Sequence, residues 1–525
     1  MSVITNISRI LNIRPEERTA VFLLLGQTVF LGVFLALFDI STTSLFINTF
    51  GESMISRAFL VSGILGFALS AVYYRLQSVW KFSKLIILNL LTISIITFLL
   101  RSSFYLSESE VLIFTAFILM GPLNLLGVIG FWGMAGRLFT LRQGKRLFGL
   151  IDAGQIFGMI LISFLVPVLL NILNTSKDLL FISAISVFLA FIIQMVIVRK
   201  FNLDQQQNIE KTEKKLMVAD LFRNRYIRSM TFYVAFSVLA AFFMFYIFLP
   251  TTKMLYPGDR EYTVFLGMFT GTLMIFTILI KTFAYDKITK NYGLKVNLLL
   301  PPLLLGLFVL LGVAAGEFFG ISPESTSFVL FFLFVALGRL FSVSLKNAIE
   351  TPSQKILYQS LDKSIRYKVQ VAIDGMVNES AAVLAGLLLF VMGALGVFNV
   401  IHHAYLLIAI VGAWATIAYF VYKQYRASLG ATLETETETI VQKKAEKINQ
   451  DLLNYEGKTK EGKRKKLQLI KESAPTELTG YYKKCLLSND EDLQNWILSD
   501  INDNTVFEVI PDLKRFASNS KDQKL

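Results

Sequence analysis

Twelve stretches of roughly 20 predominantly apolar residues fill most of the first 423 positions. They run over 20–48, 55–74, 85–103, 111–136, 147–172, 178–198, 229–252, 263–283, 296–316, 326–349, 369–396 and 402–423. A run of that length matches the ~30 Å hydrocarbon core of a bilayer when it is helical. In hydrocarbon every backbone N–H and C=O must be satisfied within the segment, and repeated apolar runs meet that demand as α-helices. The chain is 54% hydrophobic and 17% charged, against about 25% charged in a soluble domain. A soluble enzyme, a disordered chain and a disulfide scaffold are all excluded. One cysteine, Cys485, permits no internal disulfide, and His402-His403 are too few for a conventional metal site. No cofactor or metal is expected. The first apolar run is too long for a cleavable signal peptide.

Charge divides the chain again. Residues 429–525 hold 16 Lys+Arg and 17 Asp+Glu, whereas residues 1–428 hold 35 and 21. The expected organisation is a first six-helix half at 1–198, a basic central loop at 199–228, a second six-helix half at 229–428, and a cytoplasmic helical module at 429–525. If the N-terminus is cytoplasmic, 30 basic residues of the body fall on the inner side and five on the outer (Arg57, Arg101, Lys177, Lys253, Arg260). That bias predicts both termini inside, in a bacterial inner membrane. It also explains the basic excess without nucleic acid; lipid is the expected surround.

The halves repeat each other. Gly136-Arg137-Leu138-Phe139 recurs as Gly338-Arg339-Leu340-Phe341, and Ile151-Asp152-Ala153-Gly154 as Ile373-Asp374-Gly375. A basic residue lies six before each Asp: Arg146 before Asp152, Lys368 before Asp374. An all-α 6+6 bundle with a long central loop resembles the plan of the major facilitator superfamily. The loop Asp286-Lys287 through Gly293 resembles that superfamily's acidic/basic loop motif, which implies charge pairs that hold helix ends together.

Two further stretches carry a narrower likeness. Phe131-Trp132-Gly133-Met134-Ala135 followed by Lys145-Arg146-Leu147-Phe148, and Tyr358-Gln359-Ser360-Leu361-Asp362-Lys363 followed by Ala372-Ile373-Asp374-Gly375, resemble the ATP/ADP antiporter family. The likeness is closest to bacterial relatives with an appended cytoplasmic HEAT-repeat domain. It implies a carrier of phosphorylated nucleotides and not an enzyme. The chain departs from the family where the antiporters carry a basic residue in the first span, an acidic residue after the Phe-Trp stretch and a Lys-Glu pair further on. Those places fall on Thr42, Arg137 and the Gln354-Lys355 region, so efficient ATP/ADP exchange is not expected.

Ionisable groups inside a span are costly, and each needs a partner or a wet cavity. Asp39, Thr42, Asn124, Asn378 and Glu379 are the candidate substrate or coupling residues; Asn124 follows the helix-kinking Gly121-Pro122. Arg137, Arg146, Asp152, Arg339, Lys368 and Asp374 are the candidate gate charges, with the two Asp expected to pair with the four basic groups near the cytoplasmic face. In the tail, apolar residues recur at helical spacing, and Asp490 through Phe516 resembles a HEAT-type repeat. Three functions follow from these readings: an alternating-access carrier for a nucleotide or other anionic metabolite; a non-transporting scaffold whose tail at 429–525 binds a protein partner; and a lipid or amphiphile transporter.

Overall fold

A computed structural model describes residues 13–52, 54–106, 109–139, 141–173, 175–201, 203–204, 223–320, 328–361, 365–366, 369–370, 372–395 and 399–454, with isolated positions between 480 and 499. The chain forms two compact units, Met1–Ser428 and Leu429–Leu525. In the second, Tyr482 and Leu486 are buried; the HEAT-type reading lies outside the described residues, as does Lys368.

The first unit is a helical bundle. Its first half contains α1 (Arg18–Phe50), α2 (Ile55–Val79), α3 (Phe82–Leu106), α4 (Glu110–Leu138), α5 (Leu141–Leu173) and α6 (Leu179–Lys200). The second contains α7 (Arg225–Leu255), α8 (Asp259–Leu279), α9 (Tyr285–Phe319), α10 (Phe328–Gln359), α11 (Ala372–Ala394) and α12 (Val400–Gly430). Eleven helical stretches among the described residues are long and apolar enough to cross a membrane. One of them, Asp259–Phe319, has 61 residues, about twice what a bilayer core needs even with tilt. It is broken within α9 by Gly293 at φ 74°, ψ −179°, a backbone conformation that favours glycine, so the stretch makes one pass before that residue and another after it, and the bundle makes twelve. The glycine of the loop motif is therefore the turn itself.

The most enclosed helices are α1 and α7, the first of each half, which is the arrangement a duplicated bundle requires. The bundle has a near end, where α1 begins, and a far end, where α1 finishes at Phe50. Small residues let helices of opposite halves meet at the far end. A Cβ on Gly386 of α11 would sit 2.6 Å from the backbone of Leu60 on α2, and one on Gly267 of α8 would sit 2.8 Å from Val166 of α5.

Three π-helical turns interrupt the second half: Ile280–Ala284 between α8 and α9, Lys346–Glu350 within α10, and Ala372–Val377 opening α11. Such turns widen a helix locally and re-aim side chains. Each carries a charged residue with a place in the site: Lys281, Lys346 with Glu350, and Asp374.

Candidate functional site between the halves

The centre of the interface is charged. Asp39, five residues past the middle of α1, and Arg339 of α10 act electrostatically on each other across the two halves, outside ion-pair distance. Thr43 Oγ1 donates to Asp39 Oδ1 at 3.4 Å, and the Arg339 guanidinium lies 4.2 Å from the centre of the Phe245 ring on α7. Lys346 follows two turns along α10, about 10 Å from Arg339 toward the near end, and interacts with Glu350 one turn further on. Asp39, Arg339 and Lys346 are half-buried, each keeping part of its surface accessible.

Three ion pairs gather at the near end. Glu17, just before α1, binds Arg146 of α5 at 2.5 Å and accepts from Gln143 at 3.0 Å. Asp152 of α5 pairs with Lys281, joining the two halves. Asp374 pairs with Lys355 at 2.5 Å and accepts from the Tyr358 hydroxyl at 2.8 Å, joining α10 to α11. At the far end three side-chain hydrogen bonds cross between halves: Ser44 with Thr263 at 2.5 Å, Lys253 to Asn48 at 2.6 Å, and Arg260 to Asn171. Among the described residues Asp152–Lys281 is the one such link at the near end.

The expected gate pairs are corrected accordingly. Asp152 and Asp374 do meet basic groups, but these are Lys281 and Lys355 rather than Arg137, Arg146 or Arg339. Arg146 is held by Glu17. Arg137 donates to the Leu203 carbonyl at 3.2 Å and stacks over Phe82 at 3.9 Å, inside the first half. Repeat-related charges thus occupy similar places and choose different partners, because Glu17, Lys281 and Lys355 are not themselves repeated. The loop motif is corrected too: among the described residues neither Asp286 nor Lys287 forms an ion pair, and both are exposed. The turn is held instead by Thr289 bonding the Tyr285 carbonyl and Asn297 bonding Thr289.

The other candidates separate. Thr42 is fully buried and its hydroxyl donates to the Phe38 carbonyl at 2.7 Å. Asn124 and Gln155 line a small cavity with Leu31 and Phe34 in the first half. Glu379 is buried where α11 crosses α2, its carboxylate against Gly66, with Asn378 donating to it at 3.3 Å. Neither Asn378 nor Glu379 is tied to the Asp39–Arg339 centre. Glu350, absent from the sequence reading, has no exposed surface. Its apolar run stops at Ile349, which placed it outside the span. The available signal was its spacing of four from Lys346, which puts an ionisable pair on one helical face.

A twelve-pass helical bundle of two similar halves, with charged residues where the halves meet, has the architecture of the major facilitator type. Crystal structures of the nucleoside transporter NupG share the fold. A point mutant of NupG superposes with a TM-score of 0.53 at 15% identity, covering 78% of this chain and 99% of that one. The unmutated NupG gives 0.51 at 16% identity, covering 77% and 99%. No curated protein matches the chain in sequence. A model of the TLC ATP/ADP transporter family matches residues 124–425, more than half of the sequence, and the chain belongs to that family.

Proposed function

We propose that this transporter carries an anionic metabolite of the nucleotide class by alternating access, across a bacterial inner membrane and with both termini in the cytoplasm. The observation that carries the reading is the placement of Arg339 and Lys346 two turns apart on α10, both half-buried within the bundle, with Arg339 in electrostatic range of Asp39 in the other half. Two cations about 10 Å apart suit a solute with a phosphate at one point and a second polar group at another.

Charge balance narrows the solute. Asp39 and Glu350 offset Arg339 and Lys346, so the four central groups sum to zero. A triphosphate bearing about four negative charges gains little net compensation there, whereas a monophosphate or similar small anion requires less. This supports a carrier altered from ATP/ADP exchange, in line with Thr42, Arg137 and Lys355 standing where the antiporters carry other charges. Uptake of radiolabelled AMP and ATP into proteoliposomes, empty or preloaded with ADP, tests it. The expected outcome is saturable AMP uptake that Arg339→Ala lowers at least tenfold, with little ATP uptake. Rapid ATP uptake dependent on internal ADP, or uptake indifferent to Arg339, refutes it.

A further inference from the structure

Helices α2 and α11 belong to different halves and meet along a seam of small residues. A Cβ on Gly386 of α11 would lie 2.6 Å from the backbone of Leu60, one on Gly63 of α2 would lie 3.0 Å from the backbone of Val383, and one on Gly66 would lie 2.5 Å from Oε2 of Glu379. As the α2 positions rise from 60 to 66, their α11 partners fall from 386 to 379. The two helices therefore run antiparallel. The seam descends from the far end, where α2 begins, and Glu379 stands at its inner end. The carboxylate occupies the space that Gly66 leaves by having no side chain.

Glu379 is 9% exposed and carries an acid that no cation answers. Oε1 accepts from Asn378 at 3.3 Å, and among the described residues Glu379 forms no ion pair. Gly66 lies in mid-helix, with its N–H in the helical ladder, so the α2 backbone offers no spare donor. Helices α2 and α7 pack against α11, and Pro122 of α4 stands beside Gly66. The charged residues of these helices lie toward their ends: Arg57 and Arg75 on α2, Glu110 and Arg137 on α4, and Arg225, Arg228 and Lys253 on α7. Arg57 and Arg75 are the nearest on α2, and each is about 13 Å along the axis from Gly66. The described tyrosines of α2 and α7 (Tyr73, Tyr226, Tyr233 and Tyr246) are neutral phenols near pH 7. On α11 itself the other acid, Asp374, is held by Lys355 and Tyr358. An ionised carboxylate kept from both water and cations is costly within a membrane, and a protonated one is not.

We propose that Glu379 is a proton-binding site that couples proton uptake to the meeting of the two halves. With the seam closed, the carboxylate holds a proton taken from water and rests neutral against Gly66. When α2 and α11 part at the far end, water follows the seam to its inner end. The proton passes to that water and the carboxylate remains, ionised and solvated. Proton binding and far-end closure then favour each other, and by linkage the effect runs both ways. The site goes beyond the proposed function: it gives an alternating-access carrier a coupling ion, whatever solute the carrier moves.

A distance across the far end tests this. Leu106 closes α3 in the first half and Phe318 lies in the last turn of α9 in the second, and both are exposed. The full-length protein in lipid nanodiscs, with Cys485→Ser and spin labels on cysteines at those two positions, is measured by pulsed electron resonance at about pH 5.5 and about pH 8.5 without solute. The expected result is a longer-distance population that rises about tenfold relative to the shorter at the higher pH, the change that a tenfold difference in proton affinity between the two forms produces. Glu379→Gln, of the same shape but without a titrating proton, keeps the shorter distance at both pH values. Glu379→Asp, which still titrates, recovers a response. Infrared difference spectra between the two pH values carry a protonated-carboxyl band that Glu379→Gln removes, a change that a purely structural role would not produce. The absence of a pH response, a response retained in Glu379→Gln, or a carboxyl band unaltered by that substitution overturns the site. Because no solute is present, failure here is separate from failure of AMP uptake.

Discussion

Replacing Asp152 by Asn tests whether the near end of the bundle is held by one ion pair. The carboxylate faces Lys281 of the opposite half, with side chains 27% and 31% exposed. A charge-assisted hydrogen bond contributes about 1.5–3 kcal/mol when enclosed, and exposed pairs contribute about 0.2–1 kcal/mol. At roughly a quarter to a third exposure, about 1 kcal/mol is the appropriate figure. No other side-chain hydrogen bond joins the halves at this end among the described residues, so the loss falls directly on the balance between near-closed and near-open forms. About 1 kcal/mol changes that ratio about fivefold. Spin labels on cysteines at Gly149, where an added side chain meets open space, and at Tyr292, which is exposed, span the near end once Cys485 is replaced by Ser. Pulsed electron resonance should show the longer-distance population rise about fivefold relative to the shorter in Asp152→Asn. Reversing both charges, Asp152→Lys with Lys281→Asp, should restore the original distribution. An unchanged distribution in the single variant, or a double variant no better than the single, would falsify the account of the pair as a gate tie.

Three further outcomes follow from the packing and charge pattern. Gly386→Ala places a methyl 2.6 Å from the Leu60 backbone; overpacking of this kind costs about 1–3 kcal/mol, so the melting temperature should fall and cysteine labels at the far end of α2 should gain access. Arg101→Ala removes the partner of Asp178, bonded at 2.5 Å with the guanidinium nearly buried; a loss of about 2–3 kcal/mol in thermal stability is expected, and a loss under about 0.5 kcal/mol counts against the pair as a far-end tie between α3 and α6. Cysteines at Ser107 or Ser325 should react with an impermeant maleimide in intact cells, and one at Ser520 only after permeabilisation; labelling of Ser520 in intact cells reverses the orientation.

The class of structure was legible in the sequence because it depends on a local quantity. Each apolar run has to span hydrocarbon as a helix whatever its neighbours do, so twelve runs imply twelve passes. The structure adds that the long stretch Asp259–Phe319 turns at a single positive-φ glycine, Gly293, inside α9. The likeness of Phe131 through Phe148 and of Tyr358 through Gly375 to the antiporter family also rests on sequence alone, and the family match over 124–425 bears it out. That charges inside spans matter was legible for the same local reason, since Asp39, Asp152, Arg339 and Asp374 stand out against an apolar background.

Which charge meets which was not legible. Asp152 and Asp374 have identical surroundings in sequence terms, each six residues after a basic group, yet one reaches across to Lys281 and the other turns to Lys355 and Tyr358. Partner choice depends on how each helix is rotated and where a π turn shifts the face it presents, and both are set by contacts distant in the chain. Glu350 shows this most plainly. The apolar run ends one residue before it, so hydropathy placed it beyond the span. The π turn at Lys346–Glu350 and the continued helix carry it instead into the protein interior, where it is fully buried. Hydropathy records the solvent a segment requires, whereas only tertiary packing decides which side chains are taken out of it together.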